Sequence, residues 1–261
     1  MLSRLRTMLR PRDPSAWYDV GLAYKYLHDW HRSVKANQRA VDLYPEREYA
    51  AWWNLGIAAT ALHDWALARK AWRGYGIDLP DGDGPIEVNW SETPVRLPNG
   101  ETVWARRIDP ARAVIRSIPF PESGFRWHDI ILHDGASNGE REVRGKRYPV
   151  FDVLERWEAS AIPTTCVDVI CRSDDDAQLL VEVFESLEFA AEDWTTTIRP
   201  LCQACSEGLP DEFHVHDPLE VKPDRREFGV AAPVDCIESV VPAWVAESPD
   251  TRAFVAMHAE E

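Results

Sequence analysis

The chain has 261 residues, 45% of them hydrophobic, which is enough for two or three modest domains that each bury a core. The formal net charge is −15, and residues 81–261 hold 36 acidic side chains against 17 basic ones. Such an acidic body repels phosphate backbones, so nucleic-acid binding is disfavoured. The five cysteines are few and odd in number, which argues against a disulfide framework and favours a reducing cytoplasmic compartment.

The first twelve residues are basic, with four arginines and no acidic side chain. They lack the unbroken apolar core and small-residue cleavage site of a secretory signal, so we expect a basic tail. No apolar run approaches the roughly 20 residues that a membrane span requires, which predicts no stable membrane association.

Residues 14–80 contain an internal repeat with a displacement of 35 residues, since 27–30 (Leu-His-Asp-Trp) recur as 62–65. Gly21 recurs as Gly56, and Pro45 as Pro80, at the same displacement. Each copy has a tryptophan near its start, a glycine four residues later and a proline at its end. This pattern resembles the tetratricopeptide repeat. The resemblance implies two helical hairpins, with helices near 14–28, 30–43, 49–63 and 65–76.

In that family the first helix of each hairpin lines a concave groove, which implies a protein or peptide partner. The groove residues would be Tyr18, Leu22, Lys25, Tyr26, Trp53, Asn54, Ile57 and Thr60. The alternative for Tyr26 and Trp53 is packing against the chain's own C-terminal body. Two repeats are fewer than a solenoid normally needs, so we expect that body or another chain to cap the second repeat.

Residues 86–158 alternate in the manner of β-strands with turns between them. A small barrel or curled sheet is expected, with turns at 97–100 and 134–139. The predicted strands are Ile86–Trp90, Glu101–Ile108, Arg112–Phe120, Arg126–His133 and Glu140–Phe151.

Residues 163–260 show the order strand, helix, strand twice over. The predicted elements are Cys166–Arg172, Asp174–Leu187, Glu192–Arg199, Glu227–Ala232, Val234–Ala246 and Arg252–His258. The sequence therefore predicts an α+β protein with tetratricopeptide-like hairpins at 1–80, a β-rich barrel-like segment at 81–160 and a ferredoxin-like α+β sandwich at 161–261. The acidic triplet 174–176 after Ser173 fits a helix N-terminus better than a cation site.

An insertion in this last segment contains a C-x2-C-x8-H-x-H pattern formed by Cys202, Cys205, His214 and His216. Two thiolates and two imidazoles make a closed tetrahedral set suited to one structural zinc ion. Free thiols, or less favourably a redox pair, remain as alternatives. A closed set leaves no open position for a reacting water.

No catalytic residue is predicted, because the sequence has no nucleophile elbow, phosphate loop or HExxH motif. The neighbours His128-Asp129 and His133-Asp134 are candidate acid–base pairs, although such neighbours are usually ordinary polar residues.

Three hypotheses for the function remain: an adaptor that binds a partner in the helical groove, a toxin-neutralising or regulatory inhibitor that acts through the acidic C-terminal body, and an enzyme with an unrecognised site. The sequence leaves the oligomeric state open.

Overall fold

The computed structural model describes residue 8 and residues 10–143, 145–197 and 224–259. It contains both helices and sheets, which confirms the α+β class. Among the described residues, none of the helices has the length and apolar character to cross a bilayer.

Four helices form the N-terminal helical unit, as the repeat predicts. Aspartates begin three of them: the side chains of Asp13, Asp29 and Asp64 each accept a backbone N–H from the first turn. Gly21 lets the helices of the first hairpin approach, because a Cβ there would lie 2.4 Å from the Asn37 side chain. The helices are α1 (Pro14–Tyr26), α2 (Trp30–Leu43), α3 (Ala50–Ala61) and α4 (Trp65–Tyr75). The resemblance to tetratricopeptide repeats itself stays a prediction.

Five strands form a closed barrel in the order β1-β2-β3-β4-β5. Neighbours along the chain pair antiparallel, and a parallel β1–β5 pair closes the barrel, with Val95 opposite Phe151. Apolar side chains such as Ile115 and Ile131 fill the interior. The strands are β1 (Glu92–Arg96), β2 (Thr102–Arg107), β3 (Arg112–Ile115), β4 (Ile130–Val143) and β5 (Lys146–Glu158).

Two strand predictions and one turn prediction for the barrel were wrong. Residues 86–90 are not a strand: Ile86 is fully buried in the core that joins the helical unit to the barrel, and its carbonyl accepts a hydrogen bond from Arg112. Residues 134–139 are not a turn either, because β4 continues through them with shifts in register. The strand reverses instead near Gly145, which has a φ of +76°. The predicted single strand Glu140–Phe151 is therefore the end of β4 and the start of β5, which pair with each other.

The described residues of the C-terminal unit form a four-stranded antiparallel sheet in the order β7-β8-β6-β9. This order and the β-α-β-β-α-β sequence of its main elements are those of the predicted ferredoxin-like sandwich. Two helices pack on one face, around buried Phe184, Phe228 and Trp244. The elements are β6 (Thr164–Cys171), α5 (Asp174–Ser186), β7 (Ala190–Asp193), α6 (Trp194–Thr197), β8 (Arg225–Ala231), α7 (Val234–Glu247) and β9 (Arg252–Ala259).

One strand prediction for this unit was wrong, and the predicted helix cap was confirmed. The predicted strand 192–199 ends at Asp193, because Trp194 starts a short helix and docks on the barrel, donating its indole N–H to the Ile118 carbonyl at 3.2 Å. Ser173 caps α5 by accepting the N–H of Asp176, which confirms the capping interpretation of the acidic triplet.

Candidate functional site

The barrel covers the face of the helical unit on which the predicted groove residues lie, here called the concave face. Lys25 is 2% exposed, and its Nζ donates to the two carboxylate oxygens of Asp134 on β4 at 2.8 and 2.7 Å. The Tyr26 hydroxyl donates to the same carboxylate at 3.0 Å. Burial acts to raise the pKa of Asp134, but Lys25 and the surrounding hydrogen bonds hold that pKa below its ordinary value.

Trp53 fills the second half of this interface. Its indole lies against Gly135, so closely that a Cβ on that glycine would be 1.6 Å from Nε1. The ring is held from behind by Trp72 and Tyr75, with centroids 5.1 and 4.9 Å away. Trp53 therefore packs internally, which was the alternative to partner binding.

The repeated Leu-His-Asp-Trp turns both dock on β5. In the first turn, His28 and Trp30 contact the Glu155 carboxylate at 3.4 and 3.1 Å. In the second, His63 stacks on Trp157, with ring centroids 4.6 Å apart. Side chains two residues apart on a strand project from the same face. Glu155 and Trp157 therefore both face the helices, and each contacts one of the two turns that are 35 residues apart in the sequence.

Three more of the predicted groove residues are also buried. Asn54 is 4% exposed, and Ile57 and Thr60 are fully buried, whereas Tyr18 and Leu22 are half-buried. Tyr26 keeps an exposed ring, although its hydroxyl is bonded to Asp134. The open concave groove that the resemblance implied is therefore not what the structure has, because the barrel occupies that face.

The two His-Asp neighbours are structural. His133 is buried and bonded through Nδ1 to the backbone carbonyl of Asp134, and burial lowers its pKa to about 4. The Asp129 carboxylate accepts the backbone N–H groups of Arg126 and Ser160. Neither histidine is bonded to the carboxylate beside it in the sequence, so the geometry gives no acid–base pair.

An acidic surface covers the helical side of the C-terminal unit. Residues 164–197 and 224–259 hold 15 acidic side chains against four arginines. All four arginines are paired within the unit: Arg172 with Asp224, Arg225 with Asp168, Arg226 with Asp174 and Asp193, and Arg252 with Asp176. Six further exposed carboxylates on α5, α7 and the turn after α5 take part in none of these ion pairs, and we call them the acidic face: Asp175, Glu182, Glu185, Glu188, Asp235 and Glu238.

A second cluster lies on the opposite face of the same sheet. Ligand atoms of Cys166, Asp168 and Glu227 lie within 4.8 Å of one another, and the Cys166 thiol donates to Glu227 Oε1 at 3.4 Å. Burial and the Glu227 carboxylate raise the pKa of Cys166 to about 12. At neutral pH the free thiol is therefore protonated, which makes it a poor nucleophile.

Another carboxylate, Glu101, sits where the barrel meets the C-terminal unit. Its Oε1 accepts the N–H of Phe120, while Glu192 on β7 accepts the N–H of Ile118 two residues earlier. Burial raises the pKa of Glu101 to about 7, against the hydrogen bonds from Phe120 and Asn99. The folded chain thus binds this proton more tightly than the unfolded chain does.

We expect the free energy of unfolding to fall as pH rises from about 4.5 to about 7, because the charged form of Glu101 is disfavoured in the fold. Glu101→Gln removes this contribution, so its stability relative to wild type should grow by about 1–3 kcal/mol between pH 4 and pH 8. Urea titrations at several pH values measure the difference. Exposed Glu140→Gln is the control, and equal pH profiles for Glu101→Gln and wild type would contradict the assignment.

The predicted zinc ligands Cys202, Cys205, His214 and His216 lie outside the described residues. Sequence reasoning missed Gly135, Glu155 and Trp157 as docking residues, and it also missed the Cys166 cluster. The repeated Leu-His-Asp-Trp turn was the one feature of the sequence that could have indicated these docking residues, because both copies of the turn contact β5. Neither family models nor curated proteins match this chain.

Proposed function

We propose that the chain is a protein-binding module that docks on a basic partner protein through the acidic face. The observation that supports this is the internal pairing of every arginine in the described part of the C-terminal unit. The six carboxylates of the acidic face take part in none of these ion pairs. Like charges gathered on one surface repel one another, and a basic partner relieves that repulsion.

The burial of the concave face disfavours the groove-binding adaptor. A peptide in that groove would have to displace β4 and leave Lys25 or Asp134 buried without its partner. Exposed carboxylates instead accelerate association with a basic surface and select against acidic ones. A neutralising or regulatory inhibitor of a basic protein is the role that fits this surface.

The test compares two variants with the same change in net charge. Glu182→Gln/Glu185→Gln/Glu188→Gln alters the acidic face, and Glu46→Gln/Glu48→Gln/Glu142→Gln alters exposed carboxylates elsewhere. Partners are captured from native lysate, and the affinity of the captured protein is then measured at rising salt concentration. Circular dichroism verifies that both variants are folded.

We expect wild type and the control variant to bind a basic protein with an affinity that falls as salt is added. The acidic-face variant should bind roughly tenfold more weakly, since each exposed ion pair contributes up to about 1 kcal/mol. Equal binding by the two variants, or binding that salt does not affect, would contradict the proposal.

A further inference from the structure

Three potential metal ligands, the thiol of Cys166 and the carboxylates of Asp168 and Glu227, converge on the sheet face that the helices of the C-terminal unit leave free, and His258 lies on the neighbouring strand opposite Cys166. Val167 and Val169 point into the core beneath the helices, so the alternating Cys166 and Asp168 point to the other face. We propose that Cys166, Asp168, Glu227 and His258 bind one divalent transition-metal ion of the zinc class. None of these four residues belongs to the acidic face or to the predicted ligand set of the Cys/His insertion.

The strand register brings these residues together. Asp168 on β6 lies directly opposite Glu227 on β8, and Cys166 lies directly opposite His258 on β9. Directly paired residues of antiparallel strands project from the same face with Cβ atoms about 4.5–5.5 Å apart. The site therefore draws ligands from three adjacent strands.

The distances suit a tetrahedral ion. Bonds of about 2.0–2.3 Å from zinc to oxygen, nitrogen and sulfur place neighbouring ligand atoms roughly 3.3–3.8 Å apart. Cys166 Sγ and Glu227 Oε1 are 3.4 Å apart, and the Asp168 oxygen lies within 4.8 Å of both. Glu227 and His258 are exposed, so their side chains have room to rotate into the first coordination shell.

Electrostatics favours a cation at this point. Two carboxylates directly opposite each other across a strand pair repel, as Asp168 and Glu227 do. Arg225 offsets only part of this charge, because it donates to Asp168 Oδ2 at 2.6 Å. That contact leaves Oδ1 for an ion and orients the carboxylate, as outer-shell partners do in metal sites.

The ligand types select the class of ion. A thiolate with an imidazole favours zinc and its chemical neighbours, whereas magnesium and calcium prefer an all-oxygen set. Four protein ligands complete a tetrahedron, so the role would be structural: the ion would tie the edge strand β9 to β6 and β8. Binding of the ion displaces the thiol proton, which makes affinity fall with decreasing pH.

Cobalt(II) is the probe, because a thiolate ligand gives it an intense near-ultraviolet charge-transfer band and tetrahedral coordination gives it strong visible bands. The experiment uses full-length Cys202→Ser/Cys205→Ser/His214→Ala/His216→Ala, which removes the other predicted ligand set. We expect one equivalent of cobalt per chain. Adding Cys166→Ser should abolish the charge-transfer band, and adding His258→Ala should weaken binding at least tenfold.

Cys236→Ser is the matched control, since this thiol on α7 is outside the cluster. It should leave both the spectrum and the stoichiometry unchanged. No cobalt binding by the folded background variant would overturn the proposal, as would an unchanged spectrum after Cys166→Ser. Should Cys166→Ser fail to fold, the exposed His258→Ala decides the matter, because undiminished affinity there excludes the four-ligand site.

Discussion

Lys25→Met is expected to lower the free energy of unfolding by about 3–5 kcal/mol, because it leaves the Asp134 carboxylate buried without its cation. The Lys25 and Asp134 side chains are only 3% and 7% exposed, so little water is available to solvate the remaining charge. Methionine keeps most of the lysine's apolar length, which limits the loss of packing. Urea unfolding followed by tryptophan fluorescence measures the effect.

Arg147→Met is the control for this substitution. Arg147 pairs with Glu140 and Glu142 at 3.6 and 3.7 Å, but its side chain is 72% exposed. Exposed ion pairs contribute about 0–1 kcal/mol, so this variant should unfold close to wild type. Equal losses for the two variants would show that Lys25 is solvated and that the barrel does not cover it.

Gly135→Ala is expected to destabilise the chain by about 3 kcal/mol, at the upper end of the cost of overpacking. The new methyl group would overlap the Trp53 indole, and that ring cannot retreat because Trp72 and Tyr75 hold it. Chemical denaturation of Gly135→Ala and of the double variant Gly135→Ala/Trp53→Leu measures the clash. The smaller leucine should restore part of the lost stability relative to Trp53→Leu alone.

Gly84→Ala is the matched control, because a Cβ there meets nothing within 4 Å. We expect a change of less than about 0.5 kcal/mol, as for most surface substitutions. If the losses in the free energy of unfolding caused by Gly135→Ala and by Trp53→Leu add in the double variant, direct contact between the indole and β4 would be contradicted.

The sequence predicts most of the individual elements, because their signals are local. The fixed repeat of 35 residues locates α1 to α4, and the Ser173 cap locates the start of α5. The order of strands and helices after residue 163 was enough to predict the ferredoxin-like sheet, since few topologies satisfy it.

What the sequence does not predict depends on contacts between distant segments. The 134–139 stretch is rich in turn formers, yet it stays in β4, where Ser137 pairs with Phe151 on β5. Its Asp134 binds Lys25, which is 109 residues away along the chain. The Cys166 cluster is equally hidden, because Glu227 lies 61 residues along the chain and meets the thiol only through strand register. Side-chain periodicity cannot report such pairings.

A double-mutant cycle on Lys25 and Asp134 tests most directly whether the barrel occupies the concave face of the helical unit. The free energies of unfolding of wild type, Lys25→Met, Asp134→Asn and the double variant give the coupling energy. A coupling of about 2 kcal/mol or more is predicted, since residues that share a buried ion pair are strongly non-additive. Additivity within about 0.5 kcal/mol would contradict the contact and would restore the concave face as an open binding surface.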